Sequence, residues 1–187
     1  MRRREKFRDA STENAKENRE MKSKLFWLLT GFALLLLLAA CGSREDKSSL
    51  SNLSESQHFH ENGDLREETA SLADMPSFLD GEAELVGLSY AAAAKLKDTL
   101  QYIPCYCGCG DSAGHKSNLD CFIAGVREDG SVVWDDHGTR CGVCQHIAIQ
   151  SAQLKQQGKS DLEIRRFIDQ NYSEGYAAPT DTPIPLA

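Results

Sequence analysis

The chain has 187 residues, a formal net charge of −7, 41% hydrophobic and 26% charged residues, and seven cysteines, which bounds it to one domain or one domain with a tail. Residues 1–40 hold nine Lys/Arg and five Asp/Glu, leaving 12 against 23 and a net −11 from Cys41 onward. No nucleic-acid partner is expected of such a chain, because it lacks the cationic excess that neutralises phosphates. Five of the seven cysteines fall between Cys105 and Cys141, too many and too close for incidental core thiols.

Leu25 to Ala40 is an uncharged run of 16 residues, preceded by Lys22 and Lys24 and followed by Cys41-Gly42-Ser43. It is short of the roughly 20 apolar residues of a spanning helix. A positive flank, a short apolar stretch and small residues before a cut site compose a secretory signal, and Leu38-Ala39-Ala40-Cys41 has the form of a lipobox. The segment resembles bacterial lipoprotein signals. The resemblance implies that Cys41 is acylated, that cleavage precedes it, and that the mature chain hangs from the extracytoplasmic face of the cell membrane. Residues 1–20 are polar and longer than a signal requires, so translation is expected to begin at Met21.

From Gly42 to about Gly81 the composition is Ser, Glu, Asp, Asn and His with few apolar residues, which reads as a disordered tether in which His58 and His60 are solvated. The folded part is expected to span 82–176, roughly 100 residues, a size that favours covalent or metal staples. Apolar spacing from Ala83 to Tyr102 predicts an amphipathic helix stopped by Pro104. Ser117 and Asp120 resemble a capping box for a short helix that carries Cys121. Glu128-Asp129-Gly130, between Ile123/Val126 and Val132/Val133/Trp134, predicts a hairpin with a two-residue Asp-Gly turn. A helix over 139–157 ends at Gly158, and Ser160 with Glu163 caps a second helix. Val143, Ile147, Ser151 and Leu154 share one face of the first, and Ile164, Phe167, Ile168 and Tyr172 one face of the second. Residues 177–187 read as an extended tail. The fold class is mainly α: a small cysteine-rich helical domain with a short β-hairpin. Phe122 and Trp134 are expected in the core, and Tyr106 either packs over the cysteines or lies in a loop.

Pro104-Cys105-Tyr106-Cys107-Gly108-Cys109-Gly110 concentrates the chemistry. In extended backbone a C-x-C-x-C run lines up three sulfurs roughly 6 to 7 Å apart, and Gly108 and Gly110 let the loop bend until they converge. Neighbours in C-x-C pair poorly as disulfides, so each seeks a remote thiol or a metal. His137, Cys141 and Cys144 fall at i, i+4 and i+7 of a helix that begins early enough, and a C-x-x-C at a helix start has its thiolates stabilised by the dipole. Covalent haem is not expected, because Gln145 stands where C-x-x-C-H requires His. His115 and Cys121 complete the set.

The string PCYCGC, with Gly114-His115-Lys116-Ser117, Leu119-Asp120-Cys121-Phe122, Asp135-Asp136-His137-Gly138 and the C-x-x-C helix, resembles the bacterial family named for its PCYCGC motif, found largely as lipoproteins. The resemblance covers about Ala83 to Tyr176 and implies metal binding without a settled activity. A weaker resemblance, confined to Cys141–Tyr172, is to thiol-carrying subunits of cytochrome c maturation; it implies a redox role for Cys141 and Cys144. Those subunits hold Pro between the cysteines, where this chain has Gly142-Val143.

Three readings follow. Six mature cysteines can form three disulfides in any of 15 connectivities. Cys141 or Cys144 can be an attacking thiol, given a depressed pKa and an accessible sulfur. The leading reading is metal binding by Cys105, Cys107, Cys109, Cys121, Cys141, Cys144, His115 and His137. These are more donors than one tetrahedral Zn²⁺ takes, and the surplus favours Cu(I), a multinuclear arrangement, or a Zn²⁺ site plus one disulfide. A metal donor or an apoprotein is the partner this implies, and enzymatic activity is not required.

Overall fold

The computed structural model describes residues 54–186. The signal segment, Cys41 and the first part of the expected tether lie outside them.

Two hairpins with one turn chemistry build the sheet. Strands β1 (Gln57–Phe59) and β2 (Leu65–Thr69) are joined around Glu61-Asn62-Gly63. There the His60 amide donates to the Asp64 carbonyl at 2.8 Å and the Gly63 amide to the His60 carbonyl at 2.9 Å, with Gly63 at φ +87°. Strands β3 (Ile123–Val126) and β4 (Val132–Asp135) repeat the arrangement: Arg127 donates to Ser131 at 2.8 Å, Gly130 donates to Arg127 at 3.0 Å, and Gly130 has φ +89°. The expected hairpin is therefore present, but its loop has three residues closing on a left-handed glycine instead of a two-residue turn.

The strands assemble antiparallel in the order β1-β2-β4-β3, with Arg66 opposite Asp135 and Glu67 opposite Trp134. This moves the start of the fold: residues 57–81, expected in the tether, contain two strands and a 3-10 turn at Ser77–Leu79. The physical reason is that β2 is held by polar contacts. Its one buried residue is Glu67, whose carboxylate accepts from the Ser77 amide at 2.8 Å and the Phe78 amide at 3.3 Å. Arg66 Nε pairs with buried Asp135 at 3.0 Å, and Arg127 with Glu68 at 2.6 Å. Apolar periodicity does not register a strand of this kind. His58 is exposed in β1 and His60 half-buried in the turn.

Helix α1 (Glu84–Lys95) starts with an acidic and ends with a basic residue, matching the dipole. The single helix expected to reach Tyr102 is interrupted at Leu96 (φ −115°) before α2 (Lys97–Leu100). The inward face is Val86, Ser89, Tyr90, Ala92 and Ala93, while Leu85 and Leu88 face outward. Tyr90 anchors the core: its ring meets Phe122 edge-on at 5.0 Å, and its hydroxyl donates to the Asp135 carbonyl at 2.6 Å. Trp134 and Phe122 are fully buried, as expected.

Helix α3 (Cys109–Ala113) follows the motif, and a 3-10 turn at Leu119–Cys121 takes the place of the expected short helix. Only half of a capping box forms there, because Asp120 accepts from the Ser117 amide at 3.2 Å while Ser117 caps nothing. The helix expected over 139–157 is two: α4 (His137–Arg140) and α5 (Gly142–Gln156), separated at Cys141 with φ −111° and ψ 88°. Helix α6 (Asp161–Tyr172) carries the complete Ser160–Glu163 capping box. Cys144, Ile147, Ala148 and Ser151 of α5 and Ile164, Ile168 and Tyr172 of α6 are buried. Phe167 is 38% exposed instead of joining that face. Among the described residues no helix is long and apolar enough to cross a membrane.

Candidate metal centre

Three separate segments converge on one buried point. The motif loop between Pro104 and α3 supplies Cys105 and Cys107, the first residue of α3 is Cys109, the turn before β3 supplies Cys121, and the first turn of α5 supplies Cys144. Gly108, at φ +87°, reverses the loop as a backbone conformation glycine adopts readily. Gly110 is required for a different reason: a Cβ there would lie 2.7 Å from the Thr180 methyl.

The sulfur of Cys105 is central. It lies 3.1 Å from Cys107, 2.9 Å from Cys109, 3.8 Å from Cys121 and 3.1 Å from Cys144. Cys121 is 2.9 Å from Cys144 and 3.6 Å from Cys109. All six cysteines of the described residues are free thiols. A disulfide joins sulfurs in pairs at about 2.05 Å; here the Cys105 sulfur has four sulfur neighbours at 2.9 to 3.8 Å and is bonded to none of them. Cys105, Cys109, Cys121 and Cys144 are buried with their sulfurs all within 4.8 Å of one another. A tetrahedral ion with metal–sulfur bonds of about 2.3 Å spaces its ligands by roughly 3.8 Å, so the set closes around an ion with small outward shifts. Cys107, Cys141 and Cys144 form a second such group, and Cys107, Cys109 and His137 a third.

The crowding divides the thiols. Cys107 is driven far down, first by hydrogen bonding from Cys105 and then from Cys109 and Cys121. Cys105 is raised by Cys107 but lowered by Cys109, Cys121 and Cys144 together, ending at about 4. The others rise: Cys141 to about 11, chiefly through Cys107, and Cys144 upward, first through Cys105 and Cys107. The mutual hydrogen bonds thus push these thiols apart in acidity, and a soft cation bound among them would displace the protons of the thiols it took as ligands.

Of the two expected histidines, His137 belongs to a sulfur group and His115 stands at the edge. His137 places Nδ1 3.1 Å from Asp64 Oδ2, and contact with Cys107 is the first cause of its raised pKa. His115 Nδ1 lies 3.4 Å from the Cys121 sulfur, its Nε2 is buried without a partner, and burial lowers its pKa. The two rings lie 4.6 Å apart and both group with Asp64, and of the two His137 also groups with the sulfurs of Cys107 and Cys109. The expected stripe of His137, Cys141 and Cys144 on one continuous helix does not exist, because the break at Cys141 redirects the chain; Cys107 is what links them.

Several residues that position this site were not singled out in the sequence. Asp64 holds His137, and Asn118 donates to the Cys144 carbonyl at 3.3 Å. The extended tail is a brace: the Cys105 amide donates to Thr180 Oγ1 at 2.8 Å, the Thr180 amide returns to the Cys105 carbonyl at 3.1 Å, and the Ala177 amide donates to Tyr106 at 3.0 Å. Tyr106 packs beside Tyr172 and donates to Asp169 at 2.6 Å. Asn62-Gly63 was the available signal for Asp64, since that dipeptide marks a hairpin. Thr180 carried none.

A small, mainly helical domain braced by a four-stranded sheet around a thiolate-rich centre is thus the class that fold and site define. The chain belongs to the family described as proteins of unknown function with a PCYCGC motif, whose model matches residues 30–185. No curated protein and no solved structure matches it.

Proposed function

We propose that this protein is a lipid-anchored extracytoplasmic metal-binding protein that takes Zn²⁺ or Cu(I) through its Cys/His cluster. The observation that carries this is the convergence of Cys105, Cys109, Cys121 and Cys144, buried and unpaired, on one point. Buried thiols at such spacing are costly to leave ionised without a cation and are well suited to a soft one. The anchor rests on the lipobox at Leu38–Cys41. A thiol-disulfide role at Cys141 and Cys144 has weaker support, because attack requires a depressed pKa and both thiols are pushed up by neighbouring sulfurs.

The test is metal analysis with thiol counting on the full chain extracted from membranes. Bound Zn or Cu with six thiols released on unfolding is the expected result, and Cys107→Ser is expected to lose most of the metal. Three disulfides and no metal would overturn the reading. Cys41→Ser is expected to move the chain out of the membrane fraction.

A further inference from the structure

The three groups of donors around the motif loop overlap in a regular way. Cys105, Cys109, Cys121 and Cys144 form the first; Cys107, Cys141 and Cys144 the second; Cys107, Cys109 and His137 the third. Each pair of groups shares one cysteine: Cys144 joins the first and second, Cys109 the first and third, and Cys107 the second and third. A thiolate has more than one lone pair and bridges two soft cations readily, so a shared sulfur need not choose between neighbours.

We infer that the centre is polynuclear, with three metal positions joined by the bridging thiolates of Cys107, Cys109 and Cys144. This rests on the metal-binding reading above. The first position is enclosed by four buried sulfurs, and the other two have three donors each. Cys107, Cys141 and His137, which are half-buried, place those two toward solvent. Loading displaces the proton of each thiol that enters coordination, so no oxidant or reductant is consumed.

Asp64 is a positioning residue of the third position and not a ligand. Its Oδ2 accepts from Asn62 at 2.7 Å, its Oδ1 pairs with Arg140, and both oxygens face Nδ1 of His137 at 3.1 and 3.3 Å. With Asn62, Arg140 and His137 already on it, this carboxylate fixes the imidazole and leaves Nε2 for the metal, the usual arrangement behind a metal-binding histidine. Its side chain is 5% exposed, so water does not compete for that contact.

Native mass spectrometry of the full chain, loaded anaerobically in parallel with Zn²⁺ and with Cu(I) against a competing chelator, reads the number of ions per chain. Three ions of at least one metal are expected. Cys141→Ser and His137→Gln should each lose one ion, Cys107→Ser two, and Cys121→Ser none, since three donors remain at the first position. Circular dichroism of each metal-free variant checks the fold; if Cys107→Ser fails that check, the Cys141→Ser/His137→Gln double variant, expected to hold one ion, takes its place. Asp64→Asn should weaken only the third ion, by about 10- to 100-fold, with the other two unchanged. Loading by both metals that stops at one or two ions overturns the polynuclear centre while leaving metal binding intact; no loading at all overturns metal binding itself.

Discussion

At the scale of single residues, the motif loop is held by a residue 75 positions away. Cys105 is fully buried, and its amide has Thr180 Oγ1 as acceptor. Thr180→Val keeps the shape and removes that acceptor, leaving a buried N–H unpaired at a cost of about 1–3 kcal/mol. Denaturant unfolding of the metal-free protein measures this, and an unchanged midpoint would show that the tail does not brace the loop. The cysteines and His137 could be singled out by residue type and crowding within about 40 residues, although the helical stripe expected for His137, Cys141 and Cys144 did not form. Asp64 and Thr180 could not, since an aspartate in a polar stretch and a threonine in a proline-rich tail are ordinary residues until the fold brings them to His137 and Cys105.

At the scale of elements, legibility followed apolar periodicity and capping chemistry. The start of helix α6 was readable from Ser160 and Glu163. The Glu163 carboxylate is held down to about 2, first by the Ser160 amide and then by Lys159 and the Ser160 hydroxyl. Its folded pKa lies below the unfolded value of about 4.3, so the unfolded chain takes up the proton first on acidification. The contribution is complete above about 4.3 and fades toward 2. The stability difference between wild type and Glu163→Gln is therefore expected to hold steady at neutral pH and close across that window, as read by denaturation at a series of pH values. A difference independent of pH would remove the carboxylate from the cap. Strand β2, in contrast, reads Leu-Arg-Glu-Glu-Thr and buries only Glu67. Its partners are Asp135, Ser77 and Phe78, and pairing of this kind leaves no apolar trace in the strand itself. The break at Cys141 was also hidden, because nothing in Thr139-Arg140-Cys141-Gly142 forbids a helix.

At the scale of the whole molecule, the fold starts before the PCYCGC region and its sheet depends on that earlier segment. β2 lies beside β4, the strand that carries Trp134 and Asp135, and Arg66 is the ion-pair partner of buried Asp135. A chain beginning at residue 54 is expected to melt cooperatively at the temperature of the full chain. One beginning at residue 82 leaves Asp135 without its cation, a loss of several kcal/mol for a buried charge, and is expected to lose the cooperative transition. Thermal melts followed by circular dichroism decide this, and an unchanged melt of the shorter chain would restore residues 54–81 to the tether.

The sequence alone determined that thiols and imidazoles crowd around the PCYCGC motif and that helices capped at Ser160 and ended at Gly158 flank them. These follow from local rules of spacing, propensity and donor type. The tertiary structure decided where the fold begins, that the donors fall into three overlapping groups, and that Asp64 and Thr180 support them. Each of those depends on which distant segments meet, and the meeting is made by polar pairs and backbone hydrogen bonds, whose partners are specified only once the chain has folded.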